Sequence, residues 1–246
     1  MGEAESVIRI PLARMAVVTV CLPLGAFLTC IYLSLRYNFD LSTATHCGVP
    51  NYLPSISSAI GEFVPQRYIW RFAIALHSAP RFLLASMYFS FMNRILPKIP
   101  FYKNAVRVTT ALNVAENMAL VFLSFVSSRE NYDVHKISFI VFMVCSELYM
   151  ALTCLLLRDN KNRLTNSLER LAYLKKKQLM AANITCFIVA LYFFYRHNKY
   201  CEPGMYSVFA FMEYLVVLTN MGFHMTAYYD FHHHELVVAE WKPASS

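Results

Sequence analysis

Six apolar stretches, each long enough to cross a lipid bilayer, fill most of this 246-residue chain. The hydrocarbon core of a bilayer is about 30 Å thick, so a spanning helix needs roughly 20 mainly apolar residues. The strands of a membrane β-barrel would alternate polar and apolar residues, and these stretches do not. We therefore predict an all-α fold, a polytopic membrane helix bundle of about six transmembrane helices. The stretches lie near residues 15–35, 67–93, 105–127, 136–157, 179–197 and 205–229.

The composition agrees with a membrane protein. Hydrophobic residues make up 57% of the chain and charged residues only 15%, and the mean hydropathy is +0.41. These values lie outside the range of soluble domains of this size. The connections are too short for a separate globular domain, so we predict a single transmembrane domain over 15–231, with an N-terminal segment over 1–14 and a tail over 232–246.

The distribution of Lys and Arg predicts the orientation. Seven of these residues lie in the linker 158–178, on the same side as Arg9 and Arg14, whereas the opposite side has fewer. The positive-inside rule then places both termini and this linker in the cytosol, and the loop 36–66 in a lumen or outside. The net charge of +7 mostly describes a cytosolic rim that suits anionic lipids, and no nucleic-acid motif accompanies it.

Three local patterns carry smaller predictions. Cys47 and Cys201 both fall on the predicted lumenal side, where they form either a disulfide or two free thiols. The run of histidines at 232–234 would splay its imidazoles, so we predict no metal site there. The start of the chain fits the myristoylation pattern, but a six-span protein gains little from one acyl chain, so we expect Gly2 to be unmodified.

Ionisable and amide side chains near the middle of the spans are the candidates for function. Such groups are costly in lipid, so they are expected to face the bundle interior and to find partners. At 100° per residue, several of them share a helix face. The sets are Arg67, Arg71, His77 and Arg81 in the second span, Asn113, Glu116 and Asn117 in the third, Glu147 in the fourth, and Glu213, Asn220 and His224 in the sixth.

Structural roles compete with functional ones for these groups. Arg67 and Arg71 lie near the predicted lumenal surface, where they either extend to lipid headgroups or bind a ligand phosphate. Arg81 lies deeper and should pair with Glu116, Glu147 or Glu213, a pair that could be purely architectural. The asparagines are typical of hydrogen bonds between membrane helices.

Several strings in the helices and loops closely resemble the post-GPI attachment to proteins factor 2 family. The resemblance runs from about residue 15 to residue 231. The strings are ATHCGVPNYLP at 44–54, PQRYIWRF at 65–72, LHSAPRF at 76–82, LNVAEN at 112–117, YRHNKYC at 195–201 and VLTNMGFHMTA at 217–227.

This resemblance implies a membrane protein of the Golgi apparatus or endoplasmic reticulum that acts on glycosylphosphatidylinositol (GPI) anchors already joined to protein. In the family's role, a lyso-GPI anchor is reacylated at the sn-2 position with a saturated, stearoyl-type chain. The implied partners are membrane lipids, lyso-GPI anchors and GPI-anchored proteins. The co-substrate would be an acyl donor, either acyl-CoA or a phospholipid, and no bound cofactor or metal is implied.

Together, the residues and the resemblance predict a site. We expect His77 or His224 to act as the base that deprotonates the sn-2 hydroxyl, oriented by Glu116 or Glu213. The groups expected to stabilise charge on the acyl carbonyl oxygen are Asn117, Asn220 and Arg81. A basic rim on the lumenal face would bind the anchor phosphate, and its members are His46, Arg67, Arg71, Arg196 and His197.

Two other functions fit the same pattern. A non-enzymatic transporter of lipid or acyl donor could use the polar stripe as a headgroup track. An adaptor that assists a separate acyltransferase would need the inner polar groups only for packing. No Gly-x-Ser-x-Gly nucleophile motif is present to favour catalysis.

Overall fold

The computed structural model describes residues 4–164 and 166–241. Gly2 of the myristoylation pattern and residues 242–246 of the predicted tail lie outside the described residues. The elements in chain order are β1 (Ala4–Pro11), α1 (Leu12–Tyr37), α2 (Phe39–Thr43), α3 (Ile56–Gly61), α4 (Gln66–Ile95), α5 (Pro100–Phe125), α6 (Tyr132–Asp159), a 3₁₀ turn (Lys161–Arg163), α7 (Ser167–Tyr200), α8 (Met205–Met225), α9 (Ala227–Asp230) and β2 (Glu235–Trp241).

The long helices confirm the prediction of an all-α polytopic membrane protein. Five segments are long and apolar enough to cross a membrane, namely α1, α5, α6, α7 and the stretch formed by α8 and α9. Helix α4 has 30 residues and is therefore about 45 Å long. Its arginines lower its hydropathy, but it packs between α1 and α5 as a member of the same bundle.

Two apolar clusters hold opposite ends of the bundle together. At the end where the chain begins, Leu12, Phe91, Leu157 and Phe231 bring α1, α4 and α6 against the residues that follow α9. At the other end, Phe27, Ile74 and Tyr214 are among the buried residues that join α1, α4 and α8. The space between the clusters contains a group of buried polar side chains, including Arg81, Glu116 and His224.

The two terminal segments pair with each other, which the sequence analysis did not predict. Strands β1 and β2 are antiparallel, with Ala4 opposite Trp241 and Pro11 opposite Glu235. Both termini therefore lie at one end of the bundle, as an even number of spans requires. That this end faces the cytosol stays a prediction.

The prediction of a long polar linker over 158–178 is wrong from Ser167 onward. Helix α7 begins there, with the Asn166 side chain accepting a hydrogen bond from the backbone N–H of Leu168. Lys176 does not lie on an exposed rim, because it is 1% exposed and forms an ion pair with Asp230. The hydroxyl of Tyr88 donates to the same carboxylate at 2.6 Å.

The loop between α1 and α4 folds over the start of α8. The backbone N–H of Tyr52 donates to Ser207 Oγ at 2.7 Å, and the Tyr214 hydroxyl donates to the carbonyl of Pro54 at 2.5 Å. A disulfide joins Cys47 in this loop to Cys201 at the end of α7, with 5.3 Å between their Cα atoms. These contacts form a cap over the end of the bundle that is opposite the termini.

Candidate functional site

A cavity of about 190 Å³ lies beneath this cap, and residues of α1 and of α3 to α8 line it. Its walls are almost entirely apolar, with Leu120, Phe142, Phe187 and Val216 among the lining residues. His77, which also lines it, follows the first residue of α4 by 11 positions and therefore lies about 17 Å along the helix axis. The cavity thus reaches from the cap toward the middle of the bundle.

The deep end of the cavity is polar. His77, Arg81, Asn220 and His224 line it together. His77 and Arg81 are four residues apart in α4, and Asn220 and His224 are four residues apart in α8, so each pair shares one helix face. Two helices consequently present their polar faces to the same space.

Glu116 of α5 is the centre of this polar cluster. It is 0% exposed, and its Oε1 atom accepts from Asn220 Nδ2 and from His224 Nε2, each at 3.0 Å. Arg81 Nη2 lies 3.5 Å from Glu116 Oε2 and donates to Asn113 Oδ1 at 3.3 Å. Of the three acids proposed as partners of Arg81, the structure selects Glu116.

The contacts of His224 define its hydrogen-bonding state. A carboxylate only accepts, so His224 Nε2 carries the hydrogen, and in the neutral ring Nδ1 has the lone pair. The ring of Tyr149 stacks on His224, with 5.5 Å between the ring centroids and 5° between the planes. Glu116 and Tyr149 therefore hold this imidazole from two sides.

His77 is oriented by the backbone and not by a carboxylate. Its Nδ1 atom lies 2.6 Å from the carbonyl oxygen of Thr19 in α1. The carbonyl accepts, so Nδ1 donates, and Nε2 carries the lone pair of the neutral ring. Neither Glu116 nor Glu213 orients His77, because α1 packs against this face of α4 and provides the nearer acceptor. The other expected pairing, of Glu116 with His224, is present.

Of the remaining mid-membrane groups, Glu213 and Asn117 have other partners. Glu213 Oε2 accepts from the backbone N–H of Ile56 at 2.9 Å, so it holds α3 over the cavity and is not paired with a histidine. Asn117 Nδ2 donates to the carbonyl of Ser78 at 3.1 Å and joins α5 to α4. Both carboxylate oxygens of Glu147 are buried without a hydrogen-bond partner among the described residues.

The predicted basic rim is divided between two places. Arg67 donates to the carbonyls of Gly61 and Glu62 at the end of α3. Arg71 donates to the carbonyl of Ser124 at 3.3 Å and pairs with Glu130 at 2.6 Å. These guanidinium groups bond to backbone carbonyls at the ends of α3 and α5 and to a carboxylate, so in this structure they do not form an open anion site.

The other rim residues lie beside the disulfide. Arg196 pairs with Glu202 and donates to the Tyr192 hydroxyl at 2.9 Å. His197 is 0% exposed, and its Nε2 atom lies 3.1 Å from Thr45 Oγ1. The His46 and His197 rings meet edge to face at 5.6 Å. This group anchors the cap to α7.

The described residues contain one group with the spacing of a metal site, formed by His46, Cys47 and Cys201. The two sulfurs are joined in the disulfide, so neither offers a thiolate ligand. This group therefore carries no argument for a metal.

Sequence reasoning missed several groups around the cavity. Ser146 Oγ accepts from Asn220 at 2.6 Å, and Tyr149 stacks on His224. Both lie on the buried face of α6 at helical spacing, a pattern that could have identified them. At the cap end, Ser57 Oγ lies 3.0 Å from His135 Nε2, a contact that only the tertiary fold brings together.

Comparison with known proteins identifies the family. The chain matches the Frag1/DRAM/Sfk1/Cwh43P N-terminal domain over residues 11–234. It is 48% identical to the Xenopus tropicalis protein named acyltransferase PGAP2 over 96% of this chain and 93% of that protein. It is 42% identical to post-GPI attachment to proteins factor 2 of Drosophila melanogaster, over 94% and 90% of the two chains. The protein of that name in Caenorhabditis elegans is 37% identical, over 95% and 90%. No solved structure matches this chain. At these identities and coverages, the chain belongs to the post-GPI attachment to proteins factor 2 family, and the resemblance of its sequence motifs is confirmed.

Proposed function

We propose that this chain remodels GPI anchors by transferring a saturated, stearoyl-type acyl chain to the sn-2 hydroxyl of lyso-GPI on anchored proteins. The names of its relatives support a role with GPI anchors, and the name of the frog relative supports acyl transfer. The observation that carries the proposal is the apolar cavity that ends at His77, Arg81 and His224. The apolar walls match an acyl chain in polarity, and the side chains at the polar end can take part in acid–base chemistry.

His77 is the proposed general base. Its Nε2 lone pair is left available by the hydrogen bond from Nδ1 to Thr19. It would accept the proton of the sn-2 hydroxyl while the hydroxyl oxygen attacks the acyl carbonyl carbon of the donor. The same proton would then pass to the leaving thiolate or alkoxide, so that the diacyl anchor and a free thiol or alcohol are formed.

Arg81 is the proposed group that stabilises the oxyanion. Both amide hydrogens of Asn220 are committed, to Glu116 and to Ser146. The guanidinium of Arg81 has five N–H donors, of which only those on Nη2 have partners among the described residues. Arg81 therefore keeps donors for the carbonyl oxygen in the transition state, while Glu116 holds its position.

The acceptor would enter from the cap end of the cavity. Ser57, Ser124 and His135 line that end, and Arg71 is bonded to the Ser124 carbonyl. Arg71 is partly exposed at this end, and it would bind the anchor phosphate in place of Glu130, its present ion-pair partner. The Cys47–Cys201 disulfide supports an oxidising lumen on this side, in a membrane of the Golgi apparatus or the endoplasmic reticulum.

Reconstitution tests the proposal. Proteoliposomes that contain the purified chain, lyso-GPI-anchored protein and a labelled stearoyl donor should form labelled diacyl anchor. His77→Gln should reduce the rate by about 10² or more, since a general base contributes on that order. The exposed His233 provides the control His233→Gln, which should keep the wild-type rate.

The same vesicles separate the alternatives. The apolar cavity could also carry an acyl chain without reaction, as a transporter of lipid or acyl donor would require. Headgroup translocation without diacyl product from well-folded protein would refute acyl transfer and favour transport. Neither activity, with product restored by a second protein, would favour an adaptor for a separate acyltransferase.

A further inference from the structure

A second concave site lies at the opposite end of the bundle, where α4 turns into α5. It is a groove of about 390 Å³. Arg94, at the end of α4, lies 3.4 Å from His234 Nε2 beside β2, so this turn belongs to the end that carries both termini. The groove and the cavity beneath the cap therefore lie at opposite ends of the bundle.

The lining of this groove is cationic and partly aromatic. Lys98, Lys103 and Arg107 contribute to it, together with Phe89 and Tyr102, and no acidic residue lines it. The three cations are exposed. Within residues 4–164 and 166–241, none of their side chains forms a hydrogen bond or an ion pair. Three unpaired positive charges around one concavity favour a ligand with several negative charges, and phosphate groups meet that requirement.

A continuous line of residues connects the groove to the polar cluster. Val106 lines both the groove and a small cavity between α4, α5 and α6. Asn113 and Tyr149 line the other part of that cavity. Asn113 accepts from Arg81, and Tyr149 stacks on His224. From Val106 to Asn113 the rise along α5 is only about 10 Å.

We propose that this groove binds the phosphate-bearing head of the acyl donor. The donor would approach the polar cluster from this end of the bundle, while the acceptor comes from the cap. The donor is either a CoA thioester or an anionic phospholipid, which share this phosphate chemistry. The description of the ligand as a donor rests on the proposed acyl transfer, but the phosphate site itself does not.

Binding measured without turnover tests the site. The full chain in detergent is titrated with a non-transferable thioether analogue of stearoyl-CoA, and the chain in nanodiscs is assayed for enrichment of phosphatidylserine over phosphatidylcholine. A groove variant and a charge-matched control from the same face are compared, after both have shown wild-type elution and thermal stability. The groove variant is Lys98→Gln/Lys103→Gln/Arg107→Gln, and the control, at exposed positions, is Lys161→Gln/Lys175→Gln/Lys177→Gln. If the triple variant does not fold, Arg107→Gln replaces it.

Each outcome has one meaning. A loss of affinity for the CoA analogue of about tenfold or more, in the groove variant alone, supports the site and identifies a CoA thioester. A loss of phosphatidylserine enrichment alone supports the site with a phospholipid donor. Unchanged binding of both ligands, or equal losses in the control, overturns it. Because no turnover is measured, a wild-type protein that binds in the groove but forms no diacyl anchor refutes only the proposed function.

Discussion

The buried ion pair between Lys176 and Asp230 provides a direct test of the energetics of this fold. The two side chains are 1% and 2% exposed, and the Asp230 carboxylate has Tyr88 as a further donor. Lys176→Met would leave a buried carboxylate with one neutral donor. Removing one partner of a buried pair costs about 3–5 kcal/mol, because the remaining charge has lost its compensation. We therefore expect a decrease of that size in the free energy of unfolding.

A double mutant separates the ion pair from packing. Lys176→Met/Asp230→Asn removes both charges and keeps an acceptor for the Tyr88 hydroxyl, so we expect it to be about 2 kcal/mol more stable than Lys176→Met alone. Reversible unfolding in mixed micelles measures all the variants. The exposed neighbour gives the control Lys175→Met, which should change stability by no more than about 0.5 kcal/mol. A cost below about 1 kcal/mol for Lys176→Met, or a double mutant no more stable than the single one, would refute this reasoning.

Three further predictions concern the site and its cap. Glu116→Gln should lower acyl transfer about 10²-fold or more by removing the charge that positions Arg81, and wild-type turnover by this variant would contradict the proposed cluster. Reducing the Cys47–Cys201 bond, whose cysteines are 154 residues apart, should lower the free energy of unfolding by about 2–5 kcal/mol, and unchanged denaturation with and without reductant would count against a bridge. The backbone N–H of Ser127 donates to Glu130 and holds the pKa of that carboxyl at about 2, below its ordinary value of 4.5. The stabilisation from this carboxylate is therefore complete above pH 4.5 and is lost as the pH falls from there through about 2. The difference in melting temperature between wild type and Glu130→Gln should shrink over that range, and a constant difference would refute the assignment.

Helix-face arithmetic was sufficient to identify the deep polar residues and the faces they share. His77 and Arg81 share a face of α4, Asn220 and His224 share a face of α8, and the cost of polar groups in lipid turns both faces toward the bundle interior. The choice among three acids for Arg81 did not follow, because it depends on which helices are neighbours. Helix α5 packs beside α4, and that adjacency makes Glu116 the partner.

Other features depended on contacts between distant segments. Lys176 lies in a run of three lysines, and local composition does not distinguish it from the two exposed ones beside it. Lys176, Asn183, Ala190 and His197 follow one another at intervals of seven residues, which places them on the one buried stripe of α7. This spacing could have revealed that Lys176 is buried. The backbone carbonyl that accepts from His77 could not be predicted in this way, because every residue of α1 has a backbone carbonyl and the sequence does not show which one lies beside His77.

The pairing of β1 with β2 has a practical consequence. Since Ala4 lies opposite Trp241, a short peptide could join the two ends, and the chain could then be opened in the loop after α6. Such a circular permutant should keep every helix contact described above, and it would offer an attachment point for fusion partners that does not disturb the strands.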